Sequence, residues 1–190
     1  MNELIKKSIN SNKNALNCLE SKIETIKSIA SLAITSLKNK GKIIFMGNGG
    51  SAADSQHLAA ELIGRFKKNR PALASIALST NTSILTAIGN DFGFDDIFLR
   101  QIEALTNLND IVIAISTSGN SKNVIKAIEK AKKLGAKTVG FLGMDGGLLK
   151  DIVDIPFIIE INDTPRVQEM HILAGHIICE IIENHFFPNN

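Results

Sequence analysis

The sequence predicts an α/β protein: a three-layer αβα sandwich on a mostly parallel five-stranded sheet, preceded by long N-terminal helices. Three observations carry this expectation. From Gly41 onward, short apolar runs alternate with longer amphipathic segments; strands buried on both faces and separated by helices belong to parallel sheets covered on either side. Two of the strand-to-helix turns are rich in Gly, Ser and Asn, as suits the edge where such sheets bind ligands. Before Gly41, residues 3–38 contain neither Gly nor Pro and repeat apolar residues at helical spacing. A chain of 190 residues fits one domain with room for a core. Residues 1–190 are therefore read as a single unit, with 1–38 a helical oligomerisation segment, 41–190 the α/β core, and the boundary at Lys38–Gly41.

Taken in order, one N-terminal seam runs Ile9, Leu16, Ile23, Ala30, Leu37, and its partner runs Ile5, Leu19, Ile26, Ala33, interrupted at Asn12 within the weak helix formers of 10–14. A seven-residue repeat favours a helix lying along another helix. An unbroken helix of about 30 residues would span about 45 Å, more than a small domain, so a contact between chains is expected. Strands are expected at Lys42–Met46, Leu73–Leu78, Ile111–Ile115, Thr138–Leu142 and Ile155–Ile161, and helices at Ala52–Phe66, Thr82–Ile88, Asp96–Leu105, Ser121–Leu134 and Arg166–His185.

Composition narrows the function. A net charge of +2, without a Lys/Arg block and without Trp or Tyr, argues against nucleic acid as a partner. No apolar run reaches the length of a membrane span, and Met1–Lys7 is not followed by the apolar core of a signal peptide. Cys18 and Cys179 form no CxxC pair, so neither a disulfide framework nor a thiolate zinc site is indicated. A cytoplasmic setting is expected.

The first turn follows Ile43-Ile44-Phe45-Met46 and reads Gly47-Asn48-Gly49-Gly50-Ser51. Backbone N–H groups at a helix start can hold an anion. The turn satisfies a dinucleotide-binding pattern through Gly47, Gly49 and Ala52, but the second strand ends Leu78-Ser79-Thr80-Asn81 without the carboxylate that would hold a ribose. The second turn, Ser116-Thr117-Ser118-Gly119-Asn120-Ser121, follows Ile111–Ile115. Ser118 or Ser121 alone would serve as a helix cap; four hydroxyls and a glycine clustered there suit a phosphate. No Walker-type Gly-Lys-Ser/Thr is present.

Behind the first turn, His57 and Glu61 stand four residues apart and share a helix face. Such a pair can be a hydrogen-bonded structural pair, a metal-ligand pair or an acid/base pair; its place behind a phosphate-type turn favours chemistry. In the C-terminal helix, Gln168, Glu169, His171 and His176 sit among many apolar residues. A buried histidine needs partners, and His176, in the most apolar stretch, is the best candidate for a specific role. His185 is read as solvated. Gln168 and His176 lie about 12 Å apart along one helix, so they meet at one metal only by reaching toward each other or when different protomers supply them.

Gly47–Leu62, Gly89-Asn90-Asp91-Phe92-Gly93-Phe94, Ser116–Ser121 and Thr164–Glu169 through His176 together resemble, in order and spacing, the motifs of the bacterial phosphoheptose isomerases of the sugar isomerase (SIS) fold, over nearly the whole chain. The resemblance implies conversion of sedoheptulose 7-phosphate to D-glycero-D-manno-heptose 7-phosphate, the first step toward activated heptose for lipopolysaccharide or capsule, by a homotetramer with sites between subunits. It implies that Ser116, Thr117, Ser118 and Ser121 hold the phosphate, and that Asn48, Gly49, Gly50, Asn90, Asp91 and Gln168 line the sugar, beside Ser51. It also implies one zinc ion per subunit on His57, Glu61, Gln168 and His176. Transfer of a proton through an ene-diol needs a base and an acid, for which Glu61, with burial favouring its neutral form, and His176 are the expected pair. A metal would compete for both groups. The rival readings are a non-catalytic SIS-fold protein that binds a replication initiator, one that senses a sugar phosphate, or an isomerase of a different sugar phosphate.

Overall fold

A computed structural model describes residues 1–188. The expected core alternation is present: β1 (Ile43–Gly47), α3 (Gly50–Ile63), β2 (Ser75–Ala77), α4 (Thr82–Asp91), a 3-10 turn (Phe94–Asp96), α5 (Leu99–Leu105), β3 (Ile111–Ser116), α6 (Lys122–Lys133), β4 (Lys137–Gly143), a second 3-10 turn (Leu148–Asp151), β5 (Ile155–Ile159) and α7 (Thr164–Phe186). The strands stand in the order β2-β1-β3-β4-β5. Every pairing is parallel, with Phe45 opposite Ala77 and Ile113, Ile113 opposite Val139, and Val139 opposite Ile155. The sheet is thus wholly rather than mostly parallel. β2 is shorter than expected because it is an edge strand, paired on one side only.

Side chains alternate between two cores. Ile43, Phe45, Ile111, Ile113, Phe141 and Phe157 face α1, α2, α3 and α7. Ile44, Met46, Val112, Ala114 and Leu142 face the layer of α4, α5 and α6. Among the described residues no helix is long and apolar enough to cross a membrane.

The N-terminal segment forms two helices, α1 (Asn2–Glu20) and α2 (Ile23–Lys38), so there is no single 45 Å rod. The N-terminal helices are present as expected, with the break between them at Ser21–Lys22. There the Ser21 hydroxyl donates to the Cys18 carbonyl at 2.7 Å, a local bond that competes with the helix ladder. Asn12 lies inside α1 and donates to Glu169 at 2.6 Å. The seams also diverge. Leu19, Ile26, Ala30 and Ala33 are buried against the sheet and α7, while Leu4, Ile5, Ile9, Leu16 and Ile23 remain exposed.

The C-terminal helix corrects another expectation. The fully buried histidine is His171, at 0% exposure, whereas His176 is only half-buried. His171 packs against the Phe141 and Phe157 rings, and its Nε2 lies 3.0 Å from the Leu142 carbonyl. Burial pushes its pKa down to about 4, against the raising effect of that carbonyl.

Folded His171 takes a proton only near pH 4, while an unfolded histidine does so near 6.5. Between these values the unfolded state binds more protons. Its contribution is therefore complete above pH 6.5 and declines as pH falls toward 4, by on the order of 3 kcal/mol. Urea unfolding at a series of pH values is expected to show this slope, and His171→Gln to flatten it.

Candidate active site

The strand order places β1 and β3 side by side, and their following helices α3 and α6 cover opposite faces. This is the switch point where an open α/β sheet binds ligands, and both glycine- and hydroxyl-rich turns leave the sheet there. In the first, Gly49 is the N-cap of α3 with φ 56°, a conformation that suits glycine. In the second, Gly119 has φ 64°, and a Cβ on it would lie 1.9 Å from the Gly146 carbonyl oxygen.

Reciprocal amide hydrogen bonds between Asn48 and Asn123, both 2.9 Å, tie the two turns together. Asn123 is buried and its carbonyl oxygen also accepts from the Val124 N–H. Ser121 stands at the N-cap of α6 without making a side-chain cap bond. Its hydroxyl instead lies 3.2 Å from that of buried Ser116. The Ser118 hydroxyl accepts from the Asn120 N–H at 3.2 Å. The capping explanation for Ser121 therefore falls away, and the hydroxyl pair stays beside the free N–H groups of a helix start.

α3 and α7 run side by side in the same direction. A Cβ on Gly50 would meet the Gln168 amide at 2.4 Å, and one on Gly175 would meet Leu58 at 2.5 Å. One residue further, the Nε2 atoms of His57 and His176 are 2.8 Å apart. His57 Nε2 also lies 3.2 Å from Glu61 Oε1. One ligand atom each from His57, Glu61 and His176 falls within 4.8 Å of the others. Burial, followed by the neighbouring His57, holds His176 below the ordinary imidazole range against the pull of Glu61. A neutral imidazole is the form that binds a metal.

Of the residues expected as metal ligands, His57, Glu61 and His176 converge, and the Gln168 amide lies against Gly50 at the start of α3. Asn90 and Asp91 are exposed at the end of α4, bonded to each other at 2.8 Å. Among the described residues no hydrogen bond or ion pair links them to either turn or to the His–Glu–His cluster. Sequence reading missed Asn123, whose signal was only its place as the second residue of α6. It also missed Asp54, one turn before His57, whose Oδ2 is buried without a partner. Burial raises the Asp54 carboxyl, while His57 pulls it down.

The arrangement combines an uncharged anion cradle with two imidazoles and a carboxylate, which is the equipment of a sugar-phosphate isomerase. Its family follows from comparison with known proteins. The SIS domain family matches residues 9–143, and the chain belongs to that family. Within it the chain belongs with the phosphoheptose isomerases. It is 54% identical to phosphoheptose isomerase of Helicobacter pylori strain P12 over the full length of both. It is 57% identical to that of a Nitratiruptor species over 82% of this chain and 83% of the relative. The structure of phosphoheptose isomerase GmhA from Neisseria gonorrhoeae matches with a TM-score of 0.92 at 40% identity, over 96% of this chain and 98% of that one.

Gly119→Ala tests the cradle. The backbone conformation alone is expected to cost about 1–3 kcal/mol, and the contact with Gly146 adds to it. Chemical denaturation should report the loss, and KM for a phosphorylated sugar should rise.

Proposed function

We infer that the protein interconverts sedoheptulose 7-phosphate and D-glycero-D-manno-heptose 7-phosphate, the first step of activated-heptose biosynthesis for lipopolysaccharide or capsule. The observation that carries the reading is the convergence of His57, Glu61 and His176 on one point, with His57 and Glu61 on the helix that begins at the first turn. Ser116, Thr117, Ser118 and Ser121 bind the phosphate with hydroxyl and backbone donors. Asn48, Gly49, Gly50, Ser51 and Gln168 line the sugar.

Glu61 is the base. Its Oε1 lies on His57, which leaves Oε2 to take the proton from C1 of the ketose. His176 supplies a proton to O2, giving the ene-diol. Return of a proton to C2 and loss of one from O1 yield the aldose, with no net gain or loss of atoms. Half-burial of Glu61 and His176 limits water around the transferring protons.

The donor set also fits a divalent metal. Two imidazoles and one carboxylate form a ligand set used by catalytic zinc sites, and two ring nitrogens facing each other at 2.8 Å are already gathered. His57, Glu61 and His176 would hold the ion, with Gln168 reaching toward it or supplied by a different protomer, and the ion would compete with the proton-transfer roles of Glu61 and His176. A zinc ion there would stabilise negative charge developing on the sugar oxygens. The residues offer nitrogen and oxygen without thiolate, a set compatible with zinc but not selective for it.

The same reading includes a homotetramer. The exposed stripe Leu4, Ile5, Ile9, Leu16 and Ile23 on α1 and the start of α2 is an apolar surface of the kind that marks an interface. A neighbouring subunit is the source proposed for Asn90 and Asp91. Both cysteines are free thiols, in keeping with the cytoplasm, and burial, followed by Glu61, pushes the Cys179 thiol up to about 12.

Turnover in deuterated water should place isotope on the carbon next to the carbonyl. Glu61→Gln should lower kcat by about 10²–10⁴-fold while the far-ultraviolet circular dichroism stays unchanged. Full turnover by this variant would remove Glu61 as the base. Calorimetric titration with zinc should show binding by the wild type that is lost in His57→Ala. Light scattering should give four times the chain mass of 20.5 kDa.

A further inference from the structure

We propose that Arg70 and Glu183 are positioning residues for the reaction, a buried pair that fixes the end of α3 bearing Glu61 against the part of α7 bearing His176. This rests on the roles assigned to Glu61 and His176 above. The two side chains are 1% and 2% exposed and meet at 3.0 Å, Nε to Oε1. Arg70 Nη2 donates to the Glu61 carbonyl at 2.8 Å, and Nη1 donates to the carbonyls of Leu62 at 2.6 Å and Pro71 at 3.1 Å. Carbonyls in the last turn of a helix have no partner within it. The guanidinium therefore grips α3 at the residue whose side chain faces the site.

Glu183 holds the other side. Besides Arg70, it accepts the backbone N–H groups of Phe66, Lys67 and Lys68 at 3.1, 2.9 and 3.0 Å. Those bonds fold the chain after α3 onto α7 and bring the Phe66 ring to 5.5 Å from the His176 ring. Glu183 follows His176 by seven residues, about two turns, and so lies on the same face of α7. Burial pushes the Glu183 carboxyl up, but the bonds from Lys67, Phe66, Arg70 and Lys68 outweigh it and leave it below the ordinary glutamate range. A pair retained only for stability is replaceable, because buried ion pairs can often be exchanged for apolar side chains without loss. An apolar pair cannot bond the Glu61 carbonyl or gather three successive N–H groups.

The test compares R70M/E183L, Arg70→Lys and Glu61→Gln with the wild type, assayed on sedoheptulose 7-phosphate. The double variant removes both charges together, so neither is left buried and alone. It is expected to unfold cooperatively, with kcat lowered about 10–100-fold and KM within about threefold, since the phosphate turn is untouched. Arg70→Lys keeps a cation beside Glu183 but loses the forked donors, and is expected to lie between the double variant and the wild type. A folded double variant with wild-type kcat overturns the proposal. Should the double variant not fold, Arg70→Lys decides: wild-type kcat overturns the proposal, and a lowered kcat at unchanged KM supports it. An inactive Glu61→Gln beside a fully active double variant defeats the positioning role alone. A fully active Glu61→Gln defeats the site assignment and the positioning role with it.

Discussion

β1 and β3 lie next to each other in a parallel sheet, so both must deliver their C-terminal turns to the same edge. Right-handed crossovers then send the following helices to opposite faces, and a crevice opens between the two turns. Joined by the Asn48–Asn123 amide pair, they become one concave wall of N–H groups and hydroxyls. The buried strands beneath cannot shift register without turning Ile43, Phe45, Ile111 and Ile113 to the wrong face. The placement of the wall is as firm as the core itself.

A second constraint builds the reactive end. α3 and α7 both follow strands of the same parallel sheet, so they run in the same direction on the same face. Gly175 lets them approach at Leu58, and this close passage brings His57 to His176 across a sequence separation of 119 residues. Further along, the Arg70–Glu183 pair joins the helices again. The first glycine-rich turn and the His57–Glu61 pair thus stand on one short helix, α3.

The sequence reading reached the sheet, its element order and both turns, because each of these is encoded locally. Apolar runs, glycines and clustered hydroxyls declare themselves within a few residues. The His57–Glu61 pair was legible for the same reason. Its meeting with His176 was not, since that depends on how two distant helices pack. His171 and His176 could not be told apart by their apolar surroundings. Five residues is about one and a half helical turns, and only packing decided that His171 faces Phe141 and Phe157. The break at Ser21–Lys22 left no glycine or proline to find, because a serine hydroxyl bonded to a helix carbonyl sufficed. Asn90 and Asp91 carry a family motif, but among the described residues their side chains bond to each other and not to either turn.

The shared direction of α3 and α7 has an electrical consequence. Peptide dipoles in two parallel helices add at their ends, so both N-termini, at Gly50 and Thr164, lend partial positive charge to the substrate edge. An anion near that edge would meet attraction spread over backbone groups that cannot titrate or swing away. The opposite, electronegative terminus of α3 is where the Arg70 guanidinium sits, a cation set against the negative end of the helix.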